Sequence, residues 1–185
     1  YGRIRTDEST RVLNKYRVPG TVNRILEPMG GVGGIFSAHQ ADGDWAIDMV
    51  EIELEWAIEA AHHPLCDPAT DTVSCTDFLK WADDKSVYWM YDFVVTSPTY
   101  GNRMADHHDA KDGSKRNTYK HTLGRDLTEG SSAGMQWGDE YRNFHDHAWN
   151  AVWDQLAWGG YFVVNVKEHN RKGERHPVSV WPREP

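Results

Sequence analysis

The sequence predicts an α/β protein whose parallel sheet is covered by helices on both faces, and three observations carry that expectation. Phe93-Val94-Val95 is a short apolar run with β-branched residues, closed by Ser97 and Pro98 as a buried strand gives way to a loop. Val22–Leu26 reads as another strand and leads into Glu27-Pro-Met-Gly-Gly-Val-Gly-Gly-Ile35, a glycine turn opening on a helix. Strands and helical stretches then alternate along the chain, as parallel strands joined by crossover helices do.

At 185 residues, 39% hydrophobic and with nine tryptophans, the chain is sized for one domain over 1–185 with a substantial core. Its net charge of -8 argues against coating nucleic acid through overall charge, though it leaves room for a local basic groove. Cys66 and Cys75 make neither a disulfide framework nor a paired zinc ribbon. No apolar run is long enough to span a bilayer, and Tyr1–Lys15 is too polar for a signal peptide. The expectation is a reducing, cytoplasmic compartment and no membrane partner.

Asp7 or Ser9 is placed to cap a short helix through Leu13, before the Pro19-Gly20 turn. Val22–Leu26 follows, and Ile35–Gln40 opens a helix after the glycines. Gly31 and Gly33 let the backbone approach a ligand closely, and a helix N-terminus there favours negative charge. No Gly-Lys-Ser/Thr follows, so the phosphate loop of nucleotide triphosphatases is absent. Trp45–Ile52 reads as the next strand and Glu53 to about His62 as its helix. Glu51 lies about 20 residues past the glycine turn, where such folds bind a ribose diol, or it is one more solvated acid among Glu53, Glu55 and Glu59. Thr72–Cys75 is a third strand, ending at Thr76-Asp77-Phe78, with a helical turn through Trp81. Tyr91–Thr96 is the fourth.

From Gly101 to Glu140 no period emerges, and so long an irregular stretch reads as a substrate-side loop. Between residues 111 and 125, Lys111, Lys115, Arg116, Lys120 and Arg125 outweigh the acids, with Tyr119 and His121 among them. They are either solvated surface or phosphate contacts. Gly130–Gly134 reads as a flexible joint. Tyr141–Trp158 reads as an amphipathic helix with His145, Trp149, Val152, Trp153 and Leu156 toward the core, ended by Gly159-Gly160. Tyr161–Val166 is a fifth strand, Lys167–Arg175 a basic loop, and Pro177, Pro182 and Pro185 disfavour a long helix beyond it.

Over roughly residues 22–180 this order resembles the class I S-adenosylmethionine (SAM) methyltransferases, a three-layer Rossmann-like fold. Glu27-Pro28-Met29-Gly30-Gly31-Val32-Gly33 is similar to that family's Asp-Pro-Phe-x-Gly-x-Gly, with Glu for Asp. Val50–Ala57 is similar to its second motif, and Trp158–His169 to its sixth. Ser97-Pro98-Thr99-Tyr100 resembles the Ser/Asn/Asp-Pro-Pro-Tyr signature of amino-group DNA methyltransferases, small phage-encoded enzymes above all, with Thr99 for the second proline. Two further C-terminal edge strands of that fold are missing from the pattern, which leaves three expectations: the chain is a fragment, the fold is minimal, or a second copy or partner chain completes the sheet.

The resemblance implies SAM as cofactor, held by Glu27, Pro28, Gly31 and Gly33, by Glu51 on the ribose, and by Asp77 with Phe78 at the adenine. It implies DNA as partner, duplex with a flipped base or single-stranded, and a catalytic set of Ser97, Pro98 and Tyr100. Ser97 and the Pro98 carbonyl would accept hydrogen bonds from the target amino group, with Tyr100 stacked on the base. Ser at the first position leans toward N4 of cytosine over N6 of adenine. Two alternatives stand beside this reading. One is a non-catalytic SAM- or partner-binding domain. The other is a metal-dependent HNH-type nuclease using His107-His108-Asp109 or His145-Asp146-His147.

Overall fold

Five strands carry the first of two compact units, residues Tyr1–Ser97 with His147–Asn165. The structure is a computed structural model that describes residues 6–84, 90–99, 118–135, 137–166, 169–171 and 174–176. The strands are β1 (Val22–Glu27), β2 (Asp44–Glu51), β3 (Thr72–Cys75), β4 (Tyr91–Thr96) and β5 (Leu156–Val164). Their order is β3-β2-β1-β4-β5 and every pairing is parallel. That is the doubly wound, Rossmann-type order, in which the chain winds outward from β1 and then returns beside it.

One face of the sheet presents Ile25, Ile47, Met49, Phe93 and Val95 to α1 (Thr6–Tyr16), a 3-10 helix over Gly34–Gln40 and α2 (Leu54–Ala61), whose contributions include Leu13, Phe36 and Ala60. The other face presents Leu26, Val50 and Val94 to α3 (Phe78–Asp83) and to Ala148 and Val152 of α5 (Asp139–Gln155). Helices therefore cover both faces, as the alternation predicts. Between β1 and β4 the winding reverses, which puts Glu27 and Thr96 at the carboxyl ends flanking the switch point.

Several sequence-based expectations are corrected. The first helix begins at Thr6 and runs to Tyr16, so Asp7 and Ser9 lie inside it rather than capping it. Helix α5 stops at Gln155, and Leu156 already belongs to β5. Gly159-Gly160 does not end a helix. Between Tyr91↔Leu156 and Phe93↔Tyr161, two steps on β4 oppose five on β5, so the pair sits in a bulge with Gly159 at φ +81°. Trp153 is 71% exposed, because the buried stripe of α5 runs through Tyr141, His145, Ala148, Val152 and Gln155, one position away from it. Trp149 is half-buried against Phe162, with ring centroids 5.1 Å apart.

The second unit comprises Pro98–Asp146 with Val166–Pro185. Its described elements are α4 (Tyr119–Leu123), a 3-10 turn over Ser132–Gly134 and the first part of α5. It also holds β6 (His169–Arg171) and β7 (Glu174–His176), paired antiparallel as a separate two-stranded sheet. Lys167–Arg175, read from sequence as a loop, therefore contains a strand and the start of its partner. Among the described residues no helix is long and apolar enough to cross a membrane.

Candidate functional site

The carboxyl ends of β1 and β2 hold three buried acids, Glu27, Glu51 and Glu53. Glu51 closes β2 and Glu53 is the N-cap of α2, and both side chains are buried where the chain leaves the sheet. Glu51 is the hub. Its Oε2 accepts the Gly31 N–H at 2.7 Å, and its Oε1 accepts the Glu53 N–H at 2.8 Å. Its backbone carbonyl accepts the Thr76 N–H at 3.0 Å. The glycine turn, the acid 20 residues later and the end of β3 are thus brought to one place. Such an end suits a ligand rich in hydroxyl and amino donors.

Within the turn, Gly31 has φ +55° with open space where a side chain would point, and Gly33 has φ +83° against Phe36 and Ala60. Gly31 leaves its backbone open to approach, whereas Gly33 is buried and needs to be glycine for packing against Phe36 and Ala60. Gly30 is a residue sequence reading missed. A Cβ there would fall 2.2 Å from Met49 Cγ, and its N–H donates to the Val50 carbonyl at 3.0 Å. Gly30 therefore lets the turn lie flat on β2. Pro28 is buried, and the Met29 N–H donates to Glu27 Oε1 at 3.3 Å.

Electrostatically the two strand-end acids are unusual. Burial pushes the Glu27 carboxyl up to about 8, helped by the neighbouring Glu51 and opposed by the nearby Thr96 hydroxyl and the Met29 N–H. Burial also raises Glu51, to about 6, against the pull of the Glu53, Gly31 and Ile52 backbone donors and with a push from the Glu53 charge. At neutral pH Glu27 therefore keeps its proton while Glu51 is mostly ionised. The Cys66 and Cys75 thiols are both raised, chiefly by burial and then by nearby acids, so neither side chain is a ready thiolate.

Asp77 is the N-cap of α3, where its Oδ1 accepts the Lys80 N–H at 3.0 Å. This cap leaves Oδ2 for a ligand. Phe78 is buried, stacked on Trp81 with centroids 6.0 Å apart, so it supports the site from within the core. Glu53, read from sequence among the solvated acids of the helix start, is fully buried at the N-cap of α2.

At the end of β4, among the described residues, the Ser97 hydroxyl oxygen is shielded and has no hydrogen-bond partner. Pro98 is buried. Tyr100, Lys111, Lys115 and Arg116 lie outside the described residues, as does His107-His108-Asp109. Lys120 and Arg125 are described, and both turn to Asp126. Lys120 Nζ is 2.7 Å from Asp126 Oδ1, and an Arg125 guanidinium N–H donates to the Asp126 carbonyl at 2.8 Å. His145 is buried while His147 is exposed, so the two do not share a face of α5. Among the described residues no group of three or more His, Cys, Asp or Glu could hold a metal ion.

No protein-family profile matches the chain, and no curated protein matches it either. Among solved structures it is similar to a protein of Methanococcus maripaludis described as a candidate SAM-dependent methyltransferase, at 12% identity and TM-score 0.49 over 86% of this chain. It is similar to the SAM-dependent methyltransferase of Agrobacterium tumefaciens, at 14% identity and TM-score 0.49 over 86% of this chain. A third is the glycopeptide N-methyltransferase MtfA, solved with SAM, at 14% identity and TM-score 0.49 over 95% of this chain. The chain spans 53%, 42% and 65% of their respective lengths.

Proposed function

We propose that this chain is a SAM-dependent methyltransferase acting on the exocyclic amino group of a nucleic-acid base, N4 of cytosine or N6 of adenine. The observation that carries the reading is the convergence on Glu51, which gathers the glycine turn and the β3 end at the carboxyl side of a Rossmann-type sheet. SAM would supply an electrophilic methyl on a sulfonium. Glu51, with about four lone-pair positions and backbone donors on two or three of them, keeps an acceptor for a ribose diol. Asp77 Oδ2 would accept an adenine amino group, and the open side of Gly31 admits the ligand.

The target nitrogen is a poor nucleophile because its lone pair is delocalised into the ring. The Ser97 hydroxyl and the Pro98 carbonyl would accept its two hydrogens, localise the lone pair and hold it in line. A base must leave its stack to be reached, and Tyr100 would stack on it. Lys111, Lys115 and Arg116 would contact phosphate, with Lys120 and Arg125 contributing less because both are engaged with Asp126.

The test is calorimetric titration with SAM, followed by transfer of labelled methyl to unmethylated DNA by wild type and Ser97→Ala. The reading expects saturable SAM binding by both proteins and transfer by wild type only. SAM binding without labelling of any nucleic acid would make this a binding domain. DNA cleavage that needs a divalent metal and no SAM would overturn the reading.

A further inference from the structure

Beyond Pro98 the chain regains its freedom. Proline holds its own φ near -65°, but Thr99 has two soft dihedrals and nothing intrinsic to fix them. Three bonds within the second unit remove that freedom. Thr99 Oγ1 and Ser132 Oγ are 2.7 Å apart, and the Tyr141 hydroxyl donates to the Thr99 carbonyl at 2.7 Å. The third holds the donor in place, since His145 Nδ1 donates to the Tyr141 carbonyl at 2.8 Å.

Both anchors are themselves rigid. Ser132 and Tyr141 are 7% and 2% exposed. Ser132 begins a 3-10 turn closed by the Met135 N–H on its carbonyl at 3.1 Å. The Tyr141 ring lies between Trp137 and His145, with centroids 5.5 and 4.0 Å away. A threonine held at side chain and carbonyl has its Cα and Cβ fixed, which restricts the turning of the peptide that joins it to Pro98. That peptide carries the Pro98 carbonyl.

We infer that Ser132 and Tyr141 are positioning residues, which clamp Thr99 and thereby aim the Pro98 carbonyl at the target amino group. This rests on the methyltransferase reading above, but the clamp itself has a readout that does not. Thr99→Val removes the hydroxyl at nearly constant volume, Thr99→Ser keeps it, and Tyr141→Phe removes only the phenolic oxygen.

Labelled methyl transfer to DNA should show kcat lowered about tenfold or more in Thr99→Val and Tyr141→Phe, as misplaced reacting groups do. The SAM dissociation constant should stay within about twofold, and Thr99→Ser should turn over like wild type. Thr99→Val and Ser132→Ala should be strongly non-additive, because either alone breaks the same bond. Equal losses in Thr99→Ser and Thr99→Val, or additive effects, would overturn the clamp. In parallel, amide hydrogen exchange over residues 97–100 should quicken in Thr99→Val and Tyr141→Phe. Unchanged exchange overturns the clamp whatever the enzyme does. Quickened exchange in a protein that methylates nothing would keep the clamp and remove the methyltransferase reading.

Discussion

Two groups of acids in the first unit, buried or partly buried, differ in how their oxygens are satisfied. Asp71, just before β3, has a fully buried side chain that accepts from the Ile47 and Asp67 N–H groups at 3.1 and 2.9 Å. It also accepts from the Thr70 hydroxyl at 3.2 Å and faces His39 Nε2 at 2.8 Å. Asp48, inside β2, takes the Tyr91 hydroxyl at 2.6 Å, the Arg24 guanidinium at 3.3 Å and the Thr72 hydroxyl. At the carboxyl ends, the hydrogen bonds to Glu27 and Glu51 come from backbone N–H groups, and no cation pairs with either among the described residues. Acids saturated with donors knit strands together. Acids left short of donors keep acceptor capacity for something else, and burial then raises their pKa.

The largest effect that would break this contrast is at Asp71. Asp71→Ala strands several buried donors and is expected to cost about 3–5 kcal/mol, as removing one partner of a buried pair does. Denaturant unfolding measures it, and a loss under about 1 kcal/mol would mean the network is not structural.

Next comes the pH dependence of stability. A carboxyl raised from 4.5 to about 8 by folding binds more protons in the native state across that window, so stability falls as pH rises through it. Glu51, raised to about 6, adds the same sign over a narrower window. His145 acts oppositely. Burial lowers it from 6.5 to about 4, so the stability it contributes is present above 6.5 and lost as pH falls toward 4. Glu27→Gln should therefore flatten the decline between about 5 and 8 and stabilise the protein at pH 8.5 by something on the order of a few kcal/mol. Urea midpoints for both proteins from pH 4.5 to 9 check this. Parallel curves would show that Glu27 ionises normally.

On the ligand side, Glu51→Ala should weaken SAM binding by about 1.5–3 kcal/mol, the worth of hydrogen bonds to a charged group. Calorimetry giving wild-type affinity in a folded variant would return Glu51 to the purely structural class of Asp71. Glu51→Ala and Asp77→Ala together leaving affinity untouched would remove the SAM reading.

The smallest effects concern cations. Lys120 already faces Asp126, whose side chain is 87% exposed, so Lys120→Ala should change stability by no more than about 0.5 kcal/mol. It should also leave the salt slope of DNA binding nearly unaltered. Lys115→Glu with Arg116→Glu should flatten that slope by about one to two units in log–log form, since each phosphate contact releases a counterion. Equal slopes in all three proteins would place the nucleic-acid path elsewhere.

Most of the first unit is legible in the sequence. Thr72–Cys75 and Tyr91–Thr96 are strands over those same residues, because short β-branched runs between turn residues admit few other conformations. The glycine turn and Glu51 were legible as a pair for the same local reason. Gly159-Gly160 was misread because two glycines after an apolar helix look alike whether they cap it or bulge the next strand. Only the partner strand distinguishes those outcomes.

What the sequence by itself determined is the order of elements and the residue types at each strand end, since period and turn chemistry are local properties. The tertiary structure alone decided what those residues do for one another. Burial raises both Glu27 and Glu51, and what separates these two strand-closing glutamates is their donors: Glu51 grips the Gly31 and Glu53 N–H groups, while Glu27 takes the Met29 N–H. Nor does anything near Thr99 in sequence announce Ser132 or Tyr141, its partners 33 and 42 residues away. Desolvation and long-range hydrogen bonds depend on what the folded chain packs around an atom, and no window of neighbouring residues contains that.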